Sequence, residues 1–547
     1  FLLYVSAPYT SYDKNNGLAK SAIQLLEYGK TDSIEPGESE TITLTVDDYL
    51  LASYDETYSH GGVVGGYVIE DGNYYFGIGD DAHEALNNIM MEKSLNENLS
   101  YKHDYTDEFG NTLTAKSEDE LKGLTAIYSQ EGHVDGFDST YCTSQYTGEL
   151  IQNRFSSDSD TPVDINDILG ENTVTYLSRT DYATFPKTCR LDGNDTLVSL
   201  LNKRYEKPDD APSYDSFTQK EDSDLKFIDM KDVDYDDPKW DTFINQLSEK
   251  DMLSLLDDSM GNVEIKSVSK PANINHDGPD GWVPAYKYGS KGTSTLYCGE
   301  IVSSSAFNKD LLEERGTLLA ENAIYCHLSQ GWCPGADIHR TPFSGRNFEY
   351  YSEDSYLSYI DGGIQCKAMQ EGGCMAAIKH FCGNDQETHR EGLSTFMSEQ
   401  ALRQGPIKGF EGAFTIGGAL ATMGTTSRIG ATSASTSYAL NTEVLRGEFG
   451  FKGSVITDAL TEENVATTDP LMCLVGGSDM YCMNSHSGKV KAKLDEGDGY
   501  ILSLVRQSNK RYYYAYVHSN LINGLSHETT VASDFPWWKG VTIGLIS

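Results

Sequence analysis

From about residue 240 the chain switches repeatedly between two hydrophobic periods, and this alternation limits the folds open to it more than any other feature. Leu357, Ile360, Ile364 and Ala368 recur at helical spacing, and "CMAAIKHF" follows as the short continuous apolar run that a fully buried strand needs. A helical stretch through Leu402 and Phe410 leads into the strand-like "GALATMGTT". Asn441 can cap a helix carrying Val444, Leu445 and Phe449, Gly450 and Gly453 can end it, and "SVITDAL" reads as the next strand. Strand and helix repeating every roughly 35–40 residues call for parallel strands joined by helical crossovers. The expected fold class is α/β, a (β/α)8-like barrel over residues 241–490. Within 491–547, Ile501, Leu504, Val505 and Tyr512 predict a helix appended outside that barrel.

Working residues of such a barrel sit at the C-terminal ends of its strands. Four candidates fall there: Asp277 in "HDGPDG", Arg346 in "FSGRNFEYYSED", the pair Lys379 and His380 ending "AAIKHF", and Asp458 ending "GSVITD". Behind Lys379 and His380 one loop gathers Asn384, Asp385, Glu387 and Arg390, a density of hydrogen-bonding groups that packing does not call for. Such a pocket can grip sugar hydroxyls through charge-assisted hydrogen bonds. Asp458, carried on a rigid buried strand, suits a nucleophile attacking an anomeric carbon. The residues leave open a plainer role for it, an acid packed against Lys379 as a structural ion pair. No G-x-S-x-G elbow, H-E-x-x-H helix or P-loop occurs, and His380 and His389 lack metal-ligand spacing, so no metal or other cofactor is expected.

At 547 residues the chain suggests two or three domains. With 83 acidic against 42 basic residues its net charge is −41, which repels nucleic acid and anionic lipid. Acids are densest between about 205 and 260, where runs such as "DVDYDDPKWD" read as solvated surface. The ten cysteines show no zinc-like or disulfide pattern, and Cys374, Cys382 and Cys473 read as buried thiols. Residues 1–98 look all-β: "SETITLTVDDYLLASYD" alternates with Ile42, Leu44 and Val46 on one face, and "GGYVIEDGNYYFGIG" shows strands separated by a D-G-N turn. Too few strands are visible there to close a sandwich. "GIGDDA" fits a dinucleotide fingerprint only on paper, since Asp80 and Asp81 would meet the pyrophosphate. Residues 99–240 read as an extended acidic connecting arm. At the other end Trp537 and Trp538 resemble an interfacial belt, but only about nine residues follow where a span needs about 20, so the tail reads either as a plain C-terminus or, the favoured alternative, as leading to a lost membrane anchor.

Four segments, "DGP-x-G", "GRNFEYYSED-x-YLS", "KHF-x-x-NDQET-x-R" and "GFKG-x-VITDA", resemble glycoside hydrolase family 3 in order and spacing across residues 277–459. The resemblance implies a retaining β-glycosidase acting on terminal β-D-glucosyl or related residues. It implies Asp458 as catalytic nucleophile, Asp277, Arg346, Lys379, His380 and Met423 as contacts to the sugar, and Glu387 and Arg390 as supports. "PYTSYDKNNGLAKSAIQL", "EPGESETITLTV" and "GDDAHEALNNI" are similar to the family's fibronectin-type-III-like domain, here placed before the barrel as in a permuted subgroup. In that arrangement the acid/base glutamate comes from an α/β sandwich expected upstream or on a second chain. This chain departs from the pattern at Asp337, where asparagine is common, at Ser355, where proline is common, and at Ser427, near a usual asparagine. A β-N-acetylglucosaminidase would carry a K-H-F-P-G-H-G-type loop, which "KHFCGNDQETHR" lacks. The alternative function is a non-catalytic sugar-binding or structural fragment of a larger glycosidase. Substrate class and tail together point to the cell surface or to secretion, and a homo-oligomer is compatible with all of this.

Overall fold

The computed structural model describes residues 1–97, 104–106, 112–114, 116–157, 159–176, 191–217, 223–257, 259–282 and 294–531. Trp537 and Trp538 lie outside these residues. Among the described residues no helix is long and apolar enough to cross a membrane.

The strands expected from the apolar runs form one parallel sheet in chain order: Asn275–Asp277, Gln330–Trp332, Met375–Phe381, Ala421–Gly424, Ser454–Ala459 and Met480–Cys482. Every residue of Met375–Phe381 is buried, as a strand covered on both faces must be. The ring is completed without a further named strand. Tyr481 N–H donates to the Leu256 carbonyl at 2.7 Å, and Asn275 N–H donates to the Met260 carbonyl at 2.8 Å, so Leu256 and Met260 link the last strand to the first. Helices follow the strands with side-chain caps: Asp354 accepts from the N–H groups of Tyr356 and Leu357 at the head of Ser355–Glu371, and Asn308 caps Lys309–Tyr325. Asn441 is not a cap. It lies inside the π-helical segment Ala439–Glu448 and donates to the Ala434 and Ser437 carbonyls, while Gly450, at φ 70°, does end the segment.

Two expectations about the flanks are corrected. The helix Gly499–Val517 is not appended outside the barrel. It buries Ile501, Leu502, Val505, Tyr512, Tyr513 and Tyr516 and covers the seam where the ring closes, with Tyr516 Oη bonded to Asn275 Nδ2 (2.6 Å) and Arg511 paired to Asp479 (3.1 Å). The segment between the β-module and the barrel is also more than a solvated arm. Phe155 and Val163 enter the barrel's hydrophobic core, and Trp240, within the acidic run, is fully buried while Asp234, Asp236 and Asp237 stay exposed.

The β-module has two antiparallel sheets. One is ordered Gln24–Tyr28, Leu2–Ser6, Gly72–Gly79, Thr125–Gln130, and the other Ser53–His60, Val63–Glu70, Phe137–Asp138. Two of these seven strands lie beyond residue 98, so the apparent shortage came from where the boundary was drawn. The D-G-N turn carries the chain from one sheet to the other instead of closing a hairpin. Ile42, Leu44 and Val46 do alternate in burial with exposed threonines, but the segment pairs with no strand and packs on Gly29.

The module is held against the barrel helix that follows the "GRNFEYYSED" motif. Tyr28 Oη donates to Asp361 at 2.6 Å. Lys408, paired to Glu411 at 2.7 Å, sits 4.2 Å from the Tyr49 ring centre and 5.2 Å from that of Tyr359. Burial lowers the Lys408 pKa, and the facing rings and Glu411 supply the attraction that holds the ammonium between module and barrel.

Candidate active site

The parallel ring brings the predicted polar residues to one end, the C-terminal ends of the strands. Asp277 is the last residue of its strand, Lys379 and His380 stand near the end of Met375–Phe381, and Asp458 is next to last in Ser454–Ala459. Arg346 and Glu349 come from the loop after Gln330–Trp332, and Glu387 and Arg390 from the loop after Met375–Phe381.

Together they form one continuous chain of opposite charges. Lys379 Nζ is 2.5 Å from Asp277 Oδ1 and 3.5 Å from Glu349 Oε2. Glu349 also pairs with Arg346, whose guanidinium lies 3.7 Å from Glu387 Oε1. Glu387 in turn accepts from Arg390 at 3.3 Å, and Arg390 donates to Asp458 Oδ2 at 3.0 Å. His380 Nε2 closes the sequence 3.9 Å from the same oxygen. The plainer role for Asp458 assumed the wrong cation, since Asp458 faces Arg390 while Lys379 is taken by Asp277 and Glu349. Met423 stands on the strand between those of Lys379 and Asp458, packed in the apolar cluster with Ile456 and Leu460.

Lys379 is only 1% exposed. Burial alone would depress its ammonium, but Asp277 and Glu349 outweigh that and hold its pKa above the ordinary lysine value. Burial likewise works against the Arg390 cation and is outweighed by Asp458 and Glu387. His380 goes the other way. Burial first, then Lys379, Arg346 and Arg390, push its pKa well below the usual imidazole range, so the ring is neutral. Asn384 Nδ2 donates to the Tyr350 phenol oxygen at 2.7 Å, and the same hydroxyl is hydrogen-bonded to His380 Nδ1 at 3.0 Å. With Nδ1 engaged by Tyr350, the imidazole is held with Nε2 turned toward Asp458. One carboxylate oxygen of Asp458 is fixed by the Ala459 N–H at 2.6 Å.

Asp337, one of the departures from the family pattern, does not face the pocket. Its carboxyl accepts the backbone N–H groups of His380, Gly383 and Asn384, each at 2.8 Å, and so pins the loop that carries His380. Burial raises its pKa to about 7 despite those donors. Tyr350 is the positioning residue that motif reading passed over. Its signal is its place in "NFEYYSED", between Glu349 and the start of the next helix. Among the described residues no group of three or more His, Cys, Asp or Glu is arranged to hold a metal ion.

Comparison with known proteins bears on the fold. Residues 260–511 match the glycosyl hydrolase family 3 N-terminal domain, and residues 1–82 match a fibronectin type III-like domain. Residues 260–511 are therefore similar to the N-terminal domain of glycosyl hydrolase family 3. Among family relatives, a β-glucosidase of Ruminococcus albus is 27% identical over 480 residues, covering 83% of this chain and 41% of its own length. β-Glucosidase A of Butyrivibrio fibrisolvens is 27% identical over 469 residues, covering 83% of this chain and 48% of its own. The chain thus spans less than half the length of these curated relatives. The crystal structure of a β-glucosidase from Paenibacillus barengoltzii shares the fold over 97% of this chain and 52% of that one, with a TM-score of 0.63 at 21% identity.

Proposed function

We propose that the chain works as a retaining β-glycosidase on terminal, non-reducing β-D-glucosyl or related residues. The observation that carries this is Asp458, a carboxylate on a buried strand with one oxygen fixed by its own strand and the other beside Arg390 and the neutral His380. An adjacent guanidinium holds such a carboxylate in one orientation through a charge-assisted hydrogen bond. Asp277, 45% exposed, and the Lys379, His380 and Arg346 side chains can hold ring hydroxyls around it. The β-glucosidase relatives support the same sugar class.

In the first step Asp458 forms a bond to the anomeric carbon as the bond to the leaving oxygen breaks and that oxygen takes a proton. Water then attacks the same carbon, gives its proton to the conjugate base and releases Asp458. Retention requires an acid about 5–5.5 Å from the nucleophile. Glu349 and Glu387 are poor candidates, because each is already committed to ion pairs with two cations, Arg346 and Lys379 for the first and Arg346 and Arg390 for the second. The family resemblance instead implies an acid/base glutamate carried by an α/β-sandwich segment.

The test is incubation with 2,4-dinitrophenyl 2-deoxy-2-fluoro-β-glucoside, whose leaving group departs without protonation, followed by peptide mapping. The expected adduct lies on the peptide containing "GSVITDAL" and is lost in Asp458→Asn. Glucose binding without any adduct would instead favour a non-catalytic sugar-binding fragment.

A further inference from the structure

On the flank of the same barrel, beside the loop that follows Asp458, lies a groove of about 730 Å³. Ligand pockets commonly run from about 300 to 1,000 Å³. Its walls come from five places in the chain: Asp160 and Thr161, residues 199–208, the 432–438 segment after strand Ala421–Gly424, helix Pro470–Gly476, and the start of helix Gly499–Val517. None of these residues belongs to the charged chain around Asp458.

Three tyrosines, Tyr205, Tyr438 and Tyr500, contribute to the lining, and Tyr438 is 50% exposed. Asn202, Thr161, Thr432 and Thr436 place amide and hydroxyl groups between them. The charges balance, with Lys203 and Arg204 against Asp160 and Glu206, and Lys203 pairs with Asp160 at 3.1 Å. Balanced charge gives no field to attract an anion or a cation. A ring face beside hydroxyl and amide groups instead matches a neutral ligand with apolar C–H faces and a polar rim.

The groove is tied to the loop leaving Asp458. Arg204 donates to the Ala466 carbonyl at 2.6 Å, Tyr205 N–H donates to Asp469 at 3.1 Å, and Thr468 is bonded to Ser433 at 3.0 Å. Tyr205 Oη is anchored on Asp498 at 2.7 Å, so this wall is braced from behind. We infer that the groove is a second carbohydrate site, one that holds a neutral β-linked oligosaccharide against the barrel flank beside the glycosidase pocket. The inference takes its ligand class from the glycosidase reading above.

The experiment measures binding of cellopentaose, laminaripentaose and glucose to the full chain by calorimetry, in an Asp458→Asn background so that the probes survive. Tyr438→Ala is expected to weaken at least one pentasaccharide about tenfold, the loss of one ring contact, and to leave glucose unchanged. Tyr438→Trp, which keeps a ring face, is expected to restore the affinity. The proposal is overturned if neither pentasaccharide binds, if Tyr438→Ala changes neither affinity, or if glucose weakens by the same factor. Should glucose fail to bind while a pentasaccharide binds through Tyr438, the groove stands and the sugar-pocket reading falls.

Discussion

Lys379 and Lys270 are both buried in one barrel, at opposite ends, and their pKa values move in opposite directions. At the C-terminal ends of the strands Lys379 sits between Asp277 and Glu349, and its pKa is raised. Toward the N-terminal ends Lys270 bonds to the Val263 carbonyl (3.1 Å) and Asn273 Oδ1 (2.8 Å), and burial lowers its pKa to about 7. The surroundings differ in the same way. Around Lys270 a network of Asn273, Asn275, Gln330, Tyr512 and Tyr516 runs through amides and phenols under the last helix. Around Lys379 every neighbour in the chain of pairs is charged. A neutral network closes one end of the fold at little electrostatic cost, whereas a charged one concentrates fields where a ligand can use them.

Removing the cations should show the largest difference. Lys379→Met leaves the buried Glu349 without its ammonium and is expected to cost about 3–5 kcal/mol in urea unfolding at pH 7. Lys270→Met leaves only neutral acceptors and is expected to cost about 1–2 kcal/mol. Equal losses would break the comparison.

Next comes the dependence on pH. The unfolded chain keeps the Lys270 proton up to about pH 10.4, and the folded chain releases it near 7. Over that window the unfolded state binds more protons, so the stability of the parent rises with pH relative to Lys270→Met, by about 1.4 kcal/mol per pH unit. The Lys379 contribution is fully present below the ordinary lysine pKa and is lost only as pH rises through its raised folded value. Unfolding series at pH 7, 8 and 9 therefore separate the two lysines, and a flat difference for Lys270→Met would contradict its lowered pKa.

Two matched tyrosine variants give the smallest effect and the finest resolution. Tyr350→Phe removes the hydroxyl shared by His380 and Asn384, and Tyr516→Phe the hydroxyl bonded to Asn275 and Gln330. Each is expected to cost about 1–2 kcal/mol of stability. Glucose affinity, measured by calorimetry, should fall only for Tyr350→Phe. A comparable fall for Tyr516→Phe would mean that the two ends are coupled.

Much of the site was legible before any coordinates. Asp277, Arg346, Lys379, His380, Glu387, Arg390 and Asp458 each stand in a motif at a predicted strand end, and the ring draws them into one chain of contacts. Which cation serves which carboxylate was not legible. Asp458 and Lys379 are both strand-end residues, and only loop geometry sends Arg390 to the first and Glu349 to the second. Asp337 was visible as an unusual residue, but its three backbone partners lie more than 40 residues away in a loop whose course no local pattern encodes.

The sequence by itself determined the parallel α/β layout and the end of the barrel where the candidate site residues gather, because apolar runs, helical spacing and strand-end motifs are local. Tertiary structure alone decided how the ring closes through Leu256 and Met260, that helix Gly499–Val517 covers the seam, and that Thr125–Gln130 and Phe137–Asp138 complete the β-module. Each of these rests on hydrogen bonds or packing between segments far apart in the chain. Periodicity reports which face of a segment is apolar, but not which distant surface will cover it.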